Sequence, residues 1–164
     1  MNHHLAKLWL WLWLLPGLVF ALPEDRQQPI ELRADGAELD QSTGVSTYTG
    51  NVVISQGSLR LTADTARIYI TDGEFERMEA RGSPSTLRYR PSADKPPIEG
   101  VGQRVEYNAV SGKVTVSGQA RFTQGGDVFT GQQISYDLAK DRVSAQGTDR
   151  EQIHFTIQPR NSGQ

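Results

Sequence analysis

From Pro29 onward, apolar and polar residues take turns along this chain in a succession of short runs. Ile30, Leu32 and Ala34 alternate with Glu31, Arg33 and Asp35, and Leu59, Leu61 and Ala63 alternate with Arg60, Thr62 and Asp64. Ala66, Ile68 and Ile70 follow, and the pattern returns at Val114/Val116, Ala120/Phe122, Ile134/Tyr136/Leu138 and Ile153/Phe155/Ile157. Successive side chains of a β-strand point to opposite faces, so a period of two means strands with one face buried. No window carries a helical stripe with caps. Thr43-Gly44, Thr49-Gly50-Asn51, Gln56-Gly57-Ser58, Asp72-Gly73, Ser111-Gly112 and Gln124-Gly125-Gly126 read as turns between the strands. The chain is therefore expected to be all-β and antiparallel, as a sandwich, a roll or a barrel. Pro91 to Pro97 holds three prolines in seven residues and is expected as a central loop, because proline cannot donate to a ladder.

The chain also repeats itself. Shifting Ile30–Tyr69 by 68 residues onto Ile98–Asp137 needs no gap and matches nine of 40 positions. Ile30/Ile98, Glu31/Glu99, Glu38/Glu106, Gly44/Gly112, Gly50/Gly118, Gln56/Gln124 and Gly57/Gly125 are among them. The glycines are the informative matches, because they set the same backbone demands at the same intervals. Two similar modules, about 29–90 and about 97–159, are expected to form one elongated domain.

The first residues read as something other than structure. Lys7 precedes an apolar run from Leu8 to Phe20, interrupted by Pro16-Gly17, and Val19-Phe20-Ala21 offers the small or aliphatic residues of a cleavage site. That order is expected of a secretory signal peptide over residues 1–21; the run is short of the roughly 20 apolar residues that span a bilayer. Residues 22–164 are then expected as one exported, soluble domain. They contain no tryptophan, no cysteine and a single histidine. Thiol chemistry and a disulfide framework are thereby excluded. With 17 Lys+Arg against 19 Asp+Glu, the charge balance is not the footprint of a nucleic-acid partner.

The chain offers few groups for chemistry. A hydrolytic triad needs a histidine base, and His154 lies between Ile153 and Phe155, where alternation turns it away from the apolar face. Asp35, Glu38 and Asp40 lie close together, yet in no ordered loop of calcium ligands. The nineteen acidic residues contain no pair that stands out as a glycosidase dyad. No catalytic residue, metal ligand or cofactor site is expected, and the chain does not read as an enzyme. What remains is an apolar inward set: Ile30, Leu32, Leu39, Tyr48, Val52, Ile54, Leu59, Leu61, Ile68, Leu87, Tyr107, Val116, Phe122 and Phe129. Alternation alone does not say whether that set lines an open trough or fills a dry core. A trough predicts that Ile54→Glu or Leu32→Glu weakens ligand binding in a chain that still folds; a core predicts unfolding.

Three stretches carry a likeness. Gln28-Pro-Ile-Glu-Leu-Arg-Ala-Asp35, then Tyr48-Thr-Gly-Asn-Val-Val-Ile-Ser-Gln-Gly57, then Leu61-Thr-Ala-Asp64 resemble the OstA-like family of lipopolysaccharide-transport proteins. Pro97-Ile-Glu-Gly100, Tyr107, Val116-Ser-Gly-Gln-Ala-Arg-Phe122 and Gly131-Gln-Gln-Ile-Ser-Tyr136 resemble its second module. The resemblance implies an open, twisted antiparallel β-jellyroll whose V-shaped interior holds the acyl chains of lipid A, with the inward set as its lining. It implies a periplasmic carrier that shields lipopolysaccharide from inner to outer membrane. It also implies head-to-tail copies joined by their edge strands, with an inner-membrane LptC-type protein at the N-terminal edge and an outer-membrane LptD-type translocon at the C-terminal edge. The residues expected at those edges are Ile30, Glu31, Leu32 and Arg33 in the first strand and Ile153, His154, Phe155 and Ile157 in the last. The alternative is an exported structural β-repeat with a closed core and no lipid.

Overall fold

The computed structural model describes residues 25, 28–149 and 152–159. The expected signal peptide, with its cleavage after Ala21, lies outside them. Ten strands form one antiparallel sheet: β1 (Glu31–Arg33), β2 (Gly36–Asp40), β3 (Val45–Gln56), β4 (Leu59–Thr71), β5 (Glu74–Tyr89), β6 (Ile98–Asn108), β7 (Lys113–Gln124), β8 (Asp127–Asp137), β9 (Arg142–Gln146) and β10 (His154–Thr156). Each strand from β3 to β8 pairs with the next in sequence. Two short strands lie end to end along each margin, β1 and β2 against β3, and β10 and β9 against β8. The two margins do not pair with each other, so the sheet stays open. The proline-rich segment is a loop between β5 and β6, and those strands pair on either side of it.

The sheet is folded across its strands. All five ladders from β3 to β8 slip register near mid-strand, at Thr49/Val52, Thr62/Thr65, Arg81/Ser85, Val101/Arg104 and Ser117/Ala120. Irregularities of this kind bend a strand and sharpen its twist, and five in line make a crease. In β3 it falls at Gly50 (φ 77°) and Asn51 (φ 46°), and in β7 at Gly118 (φ 77°) and Gln119 (φ 53°). Here the sequence reading needs correcting. Thr49-Gly50-Asn51 was expected to turn the chain, yet β3 runs through it, because a left-handed glycine serves a bulge as well as a hairpin.

The fold line brings distant parts of a strand together. Phe129 stands opposite Phe122, and Tyr136 lies seven residues further along β8. In a straight strand that separation is about 23 Å. The rings of Phe122 and Tyr136 are in fact 5.9 Å apart, and Tyr89 and Tyr136 are 6.3 Å apart. One half of the sheet carries β1, β10 and one end of each long strand; the other carries β2, β9 and the opposite ends. The 68-residue offset survives in the backbone: Ile70 N–H donates to Gly44 O at 2.9 Å, and Leu138 N–H donates to Gly112 O at 2.9 Å.

Candidate functional site

Register places the inner face in rows that cross the whole sheet. One row reads Leu32, Ile54, Leu61, Leu87, Gly100, Phe122, Phe129, Phe155. On the far side of the crease a second reads Ala37, Tyr48, Ala66, Ala80, Val105, Val116, Ile134, Ala145. Beyond it a third reads Leu39, Ser46, Ile68, Met78, Tyr107, Val114, Tyr136, Val143. Ser46 is the one polar member of the three. Eight positions at strand spacing give an apolar path about 34 Å long from margin to margin.

Of the fourteen residues expected on this face, Val52, Ile54, Leu59, Leu61, Ile68, Leu87, Tyr107, Val116 and Phe122 are buried. Ile30, Leu32, Tyr48 and Phe129 are partly buried against them. Leu39 shares their face but is 64 % exposed, because β2 is a marginal strand and no described residue covers its inner side. The inward set omitted Ala66, Val114, Ile134 and Tyr136, which alternation had marked, and also Met78, Ala80, Ile98 and Val105; all eight are buried. The repeat held a signal for two of them, since the 68-residue offset carries Ala66 onto Ile134 and Ile68 onto Tyr136.

In this state the two halves pack directly on each other. The cavity at their meeting, lined by Asp25, Gln56, Leu59, Tyr89, Tyr107 and Leu138, is only about 30 Å³, whereas sites for bound small molecules run to roughly 300–1,000 Å³. Of the two outcomes set for Ile54→Glu, a folded variant for a trough and an unfolded one for a core, the 1 % exposure of Ile54 in this state favours the second. Larger hollows of about 640 and 370 Å³ lie along the crease but are lined mainly by polar side chains such as Thr65, Arg81, Gln103 and Arg104. Arg33, Arg60 and Arg67 stand in the rows that alternate with the inner ones and are exposed.

Opposite the crease, one ion pair ties the two halves: Lys95, from the β5–β6 loop, binds Asp141, from the β8–β9 turn. The other ion pairs of the described residues lie within a single half. Asp141 also accepts a hydrogen bond from the Tyr136 hydroxyl at 2.5 Å. Lys95, and then Tyr136, hold the Asp141 carboxyl below its usual range. Burial, reinforced by Asp141, pushes the Tyr136 hydroxyl up and keeps it protonated. Both groups of the ion pair are well exposed, so solvent screens most of what this clasp contributes. It holds the mouth shut weakly.

The margins are the second feature. Phe155 pairs with Phe129 on the inner face, where the rings stack 4.0 Å apart, and alternation puts Ile153 and Ile157 on the same side. All three are exposed, at 53 % for Ile153, 47 % for Phe155 and 63 % for Ile157. His154 is exposed and stands opposite Thr130, off the inner face. At the other margin Leu39 is bare, and Glu31 and Arg33 are exposed on the outer side of β1. The apolar interior thus runs out to uncovered apolar side chains at both ends. No helix among the described residues is long and apolar enough to cross a membrane.

The comparisons with known proteins converge. A family model described as "LptA/(LptD N-terminal domain) LPS transport protein" matches residues 31–142. The lipopolysaccharide export system protein LptH of Pseudomonas aeruginosa is 36 % identical over 156 residues, which is 90 % of this chain and 89 % of that protein. The lipopolysaccharide export system protein LptA of Escherichia coli K12 is 30 % identical over 128 residues, covering 77 % of this chain and 69 % of LptA. The crystal structure of LptH from P. aeruginosa, the LptA homologous periplasmic component of the lipopolysaccharide transport device, is similar with a TM-score of 0.79 at 34 % identity. That match covers 84 % of this chain and 100 % of the LptH chain. With a family model spanning most of the sheet and relatives of this identity, the chain belongs to the LptA family of lipopolysaccharide transport proteins.

Proposed function

We propose that this protein is a periplasmic carrier that takes up lipopolysaccharide by its lipid A acyl chains between the two halves of the folded sheet and passes it toward the outer membrane. The observation that carries the reading is the apolar path from margin to margin, ending in exposed side chains at both ends. Each methylene kept out of water is worth about 0.8 kcal/mol, so a lipid with several chains needs continuous cover while it crosses an aqueous space. The interior must open for this: the exposed Lys95–Asp141 clasp resists little, and the incoming acyl chains replace the apolar contacts that the two halves give up. Copies stack head to tail by strand addition at β1/β2 and β9/β10, with an LptC-type protein at the first margin and an LptD-type translocon at the last. Transport of this kind makes and breaks no bond, so the role is not enzymatic.

A second reading has one observation in its favour: the packed interior suits a structural module with a dry core. Titration of the purified protein with lipopolysaccharide, followed by displacement of a fluorescent lipid A analogue, separates the two. Saturable displacement is expected; a folded protein that displaces no analogue at any concentration supports the dry core.

A further inference from the structure

Where the two halves meet at the crease, the inner face narrows to small residues. Val52 pairs with Ala63, Ser85 with Gly102, and Ala120 with Gly131. Ser85 is the exception in chemistry. It is fully buried, at 0 % exposure, and its hydroxyl has no hydrogen-bond partner. Its direction follows from its neighbours. The Thr86 hydroxyl meets that of Thr62 at 2.6 Å on the outer face, so Ser85 shares the inner face with Leu87. The other buried side-chain atom without a partner among the described residues, Arg104 Nε, belongs to a side chain that reaches Glu79 and Glu106 on the outer face.

A buried hydroxyl left unpaired is a standing cost that alanine would remove, and interiors rarely keep one. The small floor around it is occupied in the closed state by one side chain from the facing half. A Cβ on Gly102 would come within 2.6 Å of Val116 Cγ1, and one on Gly100 within 3.0 Å of Val116 Cγ2. Parting of the halves, which the carrier reading requires, draws Val116 off this floor. What it leaves is a slot lined by Ala63, Gly102 and Ala120, with the Ser85 hydroxyl in its wall.

We propose that Ser85 is a polar anchor in this slot that hydrogen-bonds a hydroxyl group carried on a bound acyl chain. The inference rests on the carrier reading and adds a preference to it. A serine hydroxyl both donates and accepts, so a hydroxylated chain satisfies it, and a plain hydrocarbon chain leaves it unpaired. Among the residues paired at the crease, Ser85 alone carries a hydroxyl to the inner face.

The test compares tetradecanoic and 3-hydroxytetradecanoic acid as competitors for the fluorescent lipid A analogue on the full protein and on Ser85→Ala. The wild-type protein is expected to bind the hydroxylated acid about three- to tenfold more tightly, the range that one net hydrogen bond provides. Ser85→Ala is expected to remove that preference, leave the plain acid's affinity within about twofold, and melt no lower than wild type. Ser85→Cys, similar in size but a weak hydrogen-bonding group, is expected to behave as the alanine variant does and guards against a packing artefact. Equal affinity for both acids in the wild type, or a preference that survives in Ser85→Ala, overturns the anchor while leaving the carrier reading intact. Failure of lipopolysaccharide and both acids to displace the analogue overturns both.

Discussion

Ile54→Glu is expected to abolish folding. Ile54 is 1 % exposed and lies in the first inner row between Leu32 and Leu61, the latter wholly buried. The change removes a fully packed aliphatic side chain and places a carboxylate among the apolar side chains of that row. Together these effects cost about 5 kcal/mol or more, comparable with the whole stability of a domain of this size. Far-UV circular dichroism with urea unfolding is expected to show no cooperative transition. A folded Ile54→Glu protein with near wild-type stability would mean that the halves stand apart in solution and the packed interior misdescribes the resting state.

Phe155→Glu, in the same row, is expected to do the opposite. Phe155 closes that row at the last margin, is 47 % exposed and loses mainly its stack on Phe129. The folding cost is therefore about 1 kcal/mol. Its effect falls on assembly, because the charge lands where an added strand would continue the apolar path. A central aromatic at an interface is worth about 3 kcal/mol, more than a hundredfold in association. Sedimentation at increasing concentration is expected to show the wild type associating and Phe155→Glu remaining monomeric. Identical sedimentation of the two proteins would remove the last margin from the head-to-tail contact. The two substitutions differ in where the row is covered, not in the face it occupies.

That difference also marks what the sequence made legible. Period two identified strands and faces, so Ile54, Leu61 and Phe122 were placed correctly inside and His154 outside. It says nothing about coverage, which depends on neighbours in space. Leu39 therefore has the right face and the wrong environment, standing bare on a marginal strand. The glycines at 44, 57, 112 and 125 were readable as turns. Gly50 and Gly118 have the same backbone geometry but sit within strands, and only the paired register shows that they belong to a crease. The crease in turn decides whether the apolar face is trough or core, which is why alternation left that question open. Ser85 was invisible for a simpler reason: a serine on a strand reads as solvent-facing until the opposite half is seen to cover it.

If lipid enters between the halves, a protein whose halves cannot part must lose it, and the lipopolysaccharide titration on such a protein is the decisive measurement. The chain has no cysteine of its own, and Lys95→Cys with Asp141→Cys allows a short bismaleimide to join the mouth where the ion pair now holds it. Saturable binding is expected before cross-linking and loss of most of it afterwards, with circular dichroism unchanged. Equal binding by the open and cross-linked protein would contradict entry between the halves and place the lipid on the outside of the sheet.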